Sequence, residues 1–331
     1  IQLPQSSMKS DAFAALLDSL STLKSSQREE VEERLLQISG RNKVQEIVQG
    51  LRPSACTACG SVNLVKNGTA RGMQRYVCKD CKHTTNPISH SPIARLHKKD
   101  KFQAYAKCMA AGLPLRETAR IVGIALSTAF RWRHRFLQSV VAHQPEVIEG
   151  ILEVDETYFR ISHKGQRGLD EPRSNGSTKG LGRGRSRKHW QAVLVGRARG
   201  TPLTLDAVMP SMSRFEVERA LARHLDPNQT IVCCDGSTSF ENIPTNLKVP
   251  IKVAVASYKS PDKCPTYHVQ SVNSYHSELK KFINRDLKGV ATKNLPHYLA
   301  WKRLLKWEKE GLLPEDYIRS AIGLQVINTK R

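Results

Sequence analysis

Three residues in the second half of the chain have the types needed to hold a hard cation: Asp155, Asp235 and Asn273. Asp155 is set into Ile151 to Tyr158, an apolar, β-rich run reading Ile-Leu-Glu-Val-Asp-Glu-Thr-Tyr. A carboxylate inside a strand is costly to desolvate unless a cation or donor compensates it, so this run calls for a partner, and a divalent metal is the expected one. Asp235 closes a second apolar run, Thr230-Ile231-Val232-Cys233-Cys234. Two carboxylates from adjacent strands can hold Mg2+ or Mn2+ through oxygen. After Val272 the pattern turns helical, with Asn273, Ser277 and Lys280 on one face and Val272, Leu279, Phe282 and Ile283 on another, facing the sheet. Asn273 is the expected third ligand through its amide oxygen. Glu278 is turned away from that face and ranks below it.

A second constellation is softer. Cys56 and Cys59 are two residues apart, as are Cys78 and Cys81, with 18 residues between the pairs. Four thiolates so spaced close a tetrahedral Zn2+ site that leaves no position for substrate, so this zinc is structural. Two disulfides are the competing reading, and a reducing compartment argues against them. Arg71, Arg75, Lys79, Lys82 and His83 make this ribbon basic enough to touch phosphates, whereas Cys108, Cys233, Cys234 and Cys264 lack ligand spacing and read as buried thiols.

These groups need elements to position them. Phe13, Leu16, Leu17 and Leu20, then Val31, Leu35 and Leu36 after a polar Ser25-Ser26-Gln27 break, predict a helical hairpin that serves packing or dimerisation. A helix over about 99–111 ends at Gly112. The stretch from Leu115 to Thr128 then has the layout of a helix-turn-helix, with Gly123 ending one helix and Ser127 capping the next. On that second helix Ala129, Trp132, Phe136 and Val140 form the core face, while Thr128, Arg131, Arg135 and Gln138 form the opposite one, suited to a DNA major groove. A solvated face of a helical bundle is the bland reading.

The rest alternates strand and helix. Strands are predicted over about 190–196 and 203–208 around Arg199-Gly200, a helix over about 214–225, and a strand over 230–234. Strand, hairpin, helix and strand is the order of a ribonuclease-H-like core, a mixed sheet flanked by helices. The fold class is α+β and multidomain, with a helical segment over 1–50, a zinc ribbon over 51–90, a helix-turn-helix domain over 93–145, the catalytic domain over 148–310 and a tail over 311–331. The Gly-rich, basic stretch from Ser162 to Lys188 carries Lys164, Arg167, Arg173, Lys179, Arg183, Arg185, Arg187 and Lys188, and is expected to order on a phosphate backbone.

The net charge of +22 and pI near 9.9 select polyanions, nucleic acid above all, as partner. No apolar run approaches the roughly 20 residues of a membrane span, and no basic-then-apolar signal peptide opens the chain. A cytoplasmic, nucleoid-associated protein is expected.

Taken together, the cysteine pairs, the blocks Thr118-Ala119-Arg120 and Trp132-Arg133-His134-Arg135, Val154 to Phe159, Cys234-Asp235-Gly236, His268 to Ser277, and Gly289-Val290-Ala291-Thr292-Lys293 resemble bacterial insertion-sequence transposases of the zinc-ribbon, ISXO-like group. That group belongs to the DDE superfamily and commonly carries Asn in the third position with Lys seven residues later, here Asn273 and Lys280. The resemblance spans about Cys56 to Trp307. It implies binding to double-stranded DNA at terminal inverted repeats, metal-dependent cleavage, strand transfer, and a homodimer or larger assembly. Two other classes stay open. A zinc-ribbon and helix-turn-helix transcription regulator would bind without cutting, and a stand-alone nuclease or resolvase would cut without joining.

Overall fold

The computed structural model describes residues 9–70, 72–169, 189–253, 267–307 and 313–324. Two helices, α1 (Ser10–Ser21) and α2 (Ser25–Val48), make the expected hairpin. Ser25-Ser26-Gln27, read from the sequence as the break, instead begins α2, because Gln27 Oε1 accepts the Lys24 N–H at 3.0 Å and satisfies the entry to that helix. Helix α1 buries none of its residues, whereas Val44, Ile47 and Val48 at the far end of α2 enter the core.

Strands β1 (Leu64–Ala70), β2 (Met73–Cys78) and β3 (Thr84–Thr85) form a small antiparallel sheet that carries the cysteine turns. Its own core is Cys56, Leu64, Tyr76 and Cys78. So little apolar surface cannot hold a sheet by itself.

Three helices follow, α3 (Phe102–Ala110), α4 (Leu115–Val122) and α5 (Leu126–Leu137). Helix α4 ends as predicted at Gly123, whose φ of 62° lets the Ile124 N–H reach back to the Ala119 carbonyl at 3.0 Å. Ser127 does not cap α5. The cap position is Ala125, whose carbonyl accepts the Ala129 N–H at 2.9 Å, and Ser127 lies inside the first turn. Burial of Ile124 fixes this tight turn, so the helix starts without a side-chain cap. Ala129, Trp132, Phe136 and Val140 are all buried, and Phe102 stacks edge-on against Trp132 with centroids 4.8 Å apart.

The second half is built on a five-stranded sheet of β4 (Gly150–Arg160), β5 (Trp190–Ala198), β6 (Thr204–Met209), β7 (Thr230–Cys234) and β8 (Ile251–Val253). Their spatial order is β6-β5-β4-β7-β8, with β4, β5 and β6 successively antiparallel and β7 and β8 parallel to β4. Between β6 and β7 runs α6 (Arg214–Leu221), and α7 (Gln270–Lys280), α8 (Leu295–Trp307) and α9 (Pro314–Ala321) complete the described chain. Period-2 alternation along β4 divides the layers. Leu152 and Val154 face α6, while Phe159, with Val193 and Val195 of β5, packs into the cluster containing α7 and α8.

That second cluster is continuous with the three-helix unit. Phe102, Trp132 and Phe136 share it with Trp301 and Leu304 of α8 and with Tyr317 and Ile318 of α9. Arg133, fully buried on the inner side of α5, lies 4.1 Å over the Trp301 ring and donates to the Leu113 carbonyl. Buried Arg303 pairs with Asp206 of β6 and donates to the His143 carbonyl just beyond α5. Among the described residues no helix is long and apolar enough to cross a membrane.

Candidate functional site

Asp155 sits mid-strand on β4, the central strand, and Asp235 directly follows β7. The parallel register pairs Glu153 with Cys233, so continuing it by two residues brings Asp235 level with Asp155. Burial pushes the Asp155 carboxyl up to about 7, and the negative charges of Glu156 and Asp235 add to the rise. The Glu156 N–H, donating to Asp155 Oδ1 at 2.8 Å, and the Lys280 ammonium oppose it. Asp155 therefore feels Asp235 from one side and Lys280 from the other. Carboxylates from adjacent strands, their charge only partly opposed by Lys280, are a donor set that fits a hard divalent ion. Asp235 is exposed at the sheet end, where its Oδ1 accepts the Ser237 N–H at 3.0 Å.

What aims α7 at this point was not evident in the sequence. Glu153, two residues before Asp155 on the same strand face, is completely buried. Its Oε2 accepts the backbone N–H groups of Ser271 at 2.7 Å and Val272 at 3.1 Å, in the first turn of α7. Its Oε1 accepts Arg199 Nε and Nη2 at 2.9 and 2.8 Å and the Ser271 hydroxyl at 3.0 Å, with His268 Nδ1 at 3.3 Å. A strand carboxylate thus caps the amino end of α7, satisfying orphan donors and meeting the positive end of the helix dipole. The signal available beforehand was a second acidic residue in the strand, without its partners.

Held there, α7 turns Asn273, His276 and Lys280 along one stripe, at spacings of three and four. Asn273 and Lys280 are exposed and His276 is buried. His276 Nδ1 lies 3.7 Å from Asp155 Oδ2, and its Nε2 has no hydrogen-bond partner among the described residues. Burial, helped by Lys280, lowers the imidazole to about 4 and keeps it neutral. His276 was not singled out from sequence. Glu278 points elsewhere, to Lys302 at 3.2 Å and Lys306 at 2.8 Å on α8, which hold its carboxyl below the usual range despite the opposing effect of burial.

The entrance to the basic stretch is tied to the Gly289–Lys293 block. The Ser162 N–H donates to Thr292 Oγ1 at 2.8 Å, and Lys164 Nζ donates to the carbonyls of Lys288 and Gly289. The remaining cations of that stretch, Arg173 to Lys188, lie outside the described residues, as do Arg71 and Cys264. Cys108, Cys233 and Cys234 are buried thiols.

In the ribbon, Cys56, Cys59, Cys78 and Cys81 place their sulfurs within 4.8 Å of one another, with 3.5 Å between Cys56 and Cys81 and 3.6 Å between Cys59 and Cys78. A tetrahedral Zn2+ with bonds of about 2.3 Å would separate its sulfurs by about 3.8 Å, so the four thiols fit it. Backbone N–H groups of Cys81 and Asp80 lower Cys78 to about 6, and those of Ala58 and Cys59 lower Cys56. The Ser61 N–H acts in the same sense on Cys59, but its neighbouring thiols prevail and push it up to about 12. Four thiolates this close ionise together only around a cation.

Arg131 and Arg135 on α5 and Gln138 at its carboxyl cap are exposed, while Thr128, one turn before Trp132, is half-buried. They form an open polar stripe on the recognition-helix position of a trihelical unit.

Comparison with known proteins gives three matches. Residues 147–301 match the ISXO2-like transposase domain, and residues 99–139 match a homeodomain-like domain. An uncharacterized protein in the transposable element ISH50 of Halobacterium salinarum is 27% identical over 253 residues, covering 74% of this chain and 82% of the relative.

Proposed function

Its two domains put this chain in an insertion-sequence transposase family, and from that premise we propose that it binds the terminal inverted repeats of an element, cleaves there and joins the freed 3′ ends to target DNA. The observation that carries the reading is the convergence of Asp155 in the middle of central strand β4, Asp235 at the end of β7 and His276 with Lys280 on α7. The order β6-β5-β4-β7-β8, with its antiparallel and parallel halves, supports a ribonuclease-H-like catalytic domain.

Asp155, Asp235 and Asn273 would hold the divalent cation or cations of the reaction. Bound there, such ions supply an activated water and stabilise the leaving 3′ oxygen. Lys280 would neutralise phosphate charge in the transition state, and Asn273, being neutral, leaves the site less negative than a third carboxylate would. Glu153 holds α7 so that these side chains meet the strand. Arg131, Arg135, Gln138 and Thr128 would read the major groove, the zinc-bound ribbon would add phosphate contacts through Lys79 and Lys82, and paired element ends call for a dimer or larger assembly.

The test is strand cleavage on duplexes carrying the gene's own flanking repeats, with Mg2+ or Mn2+. Wild type should release a 3′ end, and Asp155→Asn and Asp235→Asn should bind the duplex but not cut it. Cleavage retained by both variants would remove the assignment; binding without cleavage by wild type would favour a regulator. In parallel, Arg131→Ala with Arg135→Ala should weaken repeat binding by about 1–3 kcal/mol per base contact and, for each Arg that contacts phosphate, flatten the salt slope by about 1. Unchanged affinity would assign DNA reading to another surface.

A further inference from the structure

Among the described residues of the second half, His276 is a buried polar group that the reading above leaves without work. It is 6% exposed, it projects from α7 toward β4, and its nearest acidic oxygen is Asp155 Oδ2, 3.7 Å from Nδ1. That separation is too long for a hydrogen bond. It is instead close to the distance between two donor atoms sharing one cation, since ligands bonded at about 2.1 Å in adjacent positions sit roughly 3 Å apart and a small closing movement suffices. The other ring nitrogen is buried with no partner among the described residues. A buried imidazole with one ring nitrogen unpartnered and the other turned to a carboxylate is costly to fold around, and such groups are kept where they bind something. On the same stripe lie Asn273 one turn before and Lys280 one turn after, and the Lys280 ammonium acts on both Asp155 and His276.

We propose that His276 is a nitrogen donor to the cation held by Asp155, and that it makes the acidic site prefer Mn2+ to Mg2+. This rests on the metal-dependent reading of the site. Mg2+ takes oxygen donors in a tight octahedron and keeps its waters, whereas a first-row transition ion accepts imidazole readily. An all-oxygen set of Asp155, Asp235 and Asn273 would favour Mn2+ less. The imidazole also explains how a site with a neutral Asn holds its ion, because a nitrogen donor replaces binding strength that a third carboxylate would give.

The experiment is Mn2+ binding to the full-length, zinc-loaded protein, followed by electron paramagnetic resonance, with Mg2+ as competitor. Wild type should bind Mn2+ at a site abolished by Asp155→Asn, and pulsed spectra should show nitrogen coupling to the ion. His276→Gln should lose that coupling and at least about tenfold in Mn2+ affinity, with Mg2+ affinity changed by no more than about twofold. His268→Gln, which alters the histidine beside Glu153, should keep the coupling. Incorporation of 15N-labelled histidine into wild type should change the coupling pattern, which identifies a histidine donor even if His276→Gln folds poorly. Mn2+ bound at the Asp155 site without nitrogen coupling, or coupling that survives His276→Gln, overturns the proposal and leaves the metal reading intact. Absence of any Mn2+ site dependent on Asp155 overturns both.

Discussion

The ribbon and the acidic site both gather side chains of metal-binding type, yet they are opposites in construction. The ribbon draws four soft donors from two turns of one small sheet, and those donors are much of its core. The acidic site draws hard donors from β4, the end of β7 and α7, around a sheet that already has a full core on each face. With so small an apolar core, the ribbon is expected to need a bound ion to fold, whereas the acidic site lies in a fold with its own core on each face, and this difference sets what removal of a metal from each should do.

The largest effect is expected in the ribbon. Structural zinc supplies about 10–16 kcal/mol of binding free energy in isolated fingers, and Leu64 with Tyr76 cannot replace that. Cys78→Ser, or zinc removal with a chelator, should open residues 51–90 to protease while α3 to α5 and the five-stranded sheet stay protected. A ribbon that resists protease without zinc would show that the Met73, Ile88 and Val48 cluster, not the ion, holds it.

The next effect tests what organises the acidic site. Glu153 is fully buried and satisfies Arg199, the Ser271 hydroxyl and two N–H groups of α7. Removing one partner of a buried ionic network costs about 3–5 kcal/mol, because the others are left unpaired. Glu153→Ala should lose stability on that scale in denaturant titration, and Glu153→Gln, which keeps the shape, should lose less. Equal stability in Glu153→Ala and wild type would mean that α7 is held by Val272, Tyr275 and Leu279 alone.

The same contrast explains what could be read from the sequence. Cysteine pairs announce their ligand because donor type and spacing are local, and the α5 core face is legible because Ala129, Trp132 and Phe136 repeat at helical spacing. Asp155 stood out as a charge in an apolar run. Glu153 lay two residues away and did not, because its meaning depends on Arg199 and Ser271, which only the tertiary fold brings to it. His276 was hidden for the same reason, since a histidine on a half-polar helix is unremarkable until the opposing strand is known. Three-residue β8 carries too little pattern to be called a strand, and the start of α5 was misread because the turn is set by burial of Ile124 instead of a side-chain cap.

The smallest effect is also the one whose sign separates the two sites most cleanly. Removing a ligand from the ribbon should destabilise it, whereas removing Asp155 should stabilise the fold when no Mg2+ or Mn2+ is present. Burial, chiefly, pushes the carboxyl up to about 7 in the folded protein, well above the 3.8 of a free aspartate. A folded-state value raised in this way means that stability from this group is complete below about pH 4 and is lost as pH rises through about 7. At pH 8 the ionised, uncompensated carboxylate therefore opposes folding by up to about 4 kcal/mol, at 1.36 kcal/mol per unit. Asp155→Asn cannot ionise and escapes that cost. In zinc-loaded protein without added Mg2+ or Mn2+, the variant should melt higher than wild type at pH 8 and close to it at pH 5. Added Mn2+ should then raise wild type and leave the variant where it was. If wild type and variant melt together at pH 8, Asp155 is not paying for its burial, and the acidic site loses its claim to be a strained place awaiting a cation.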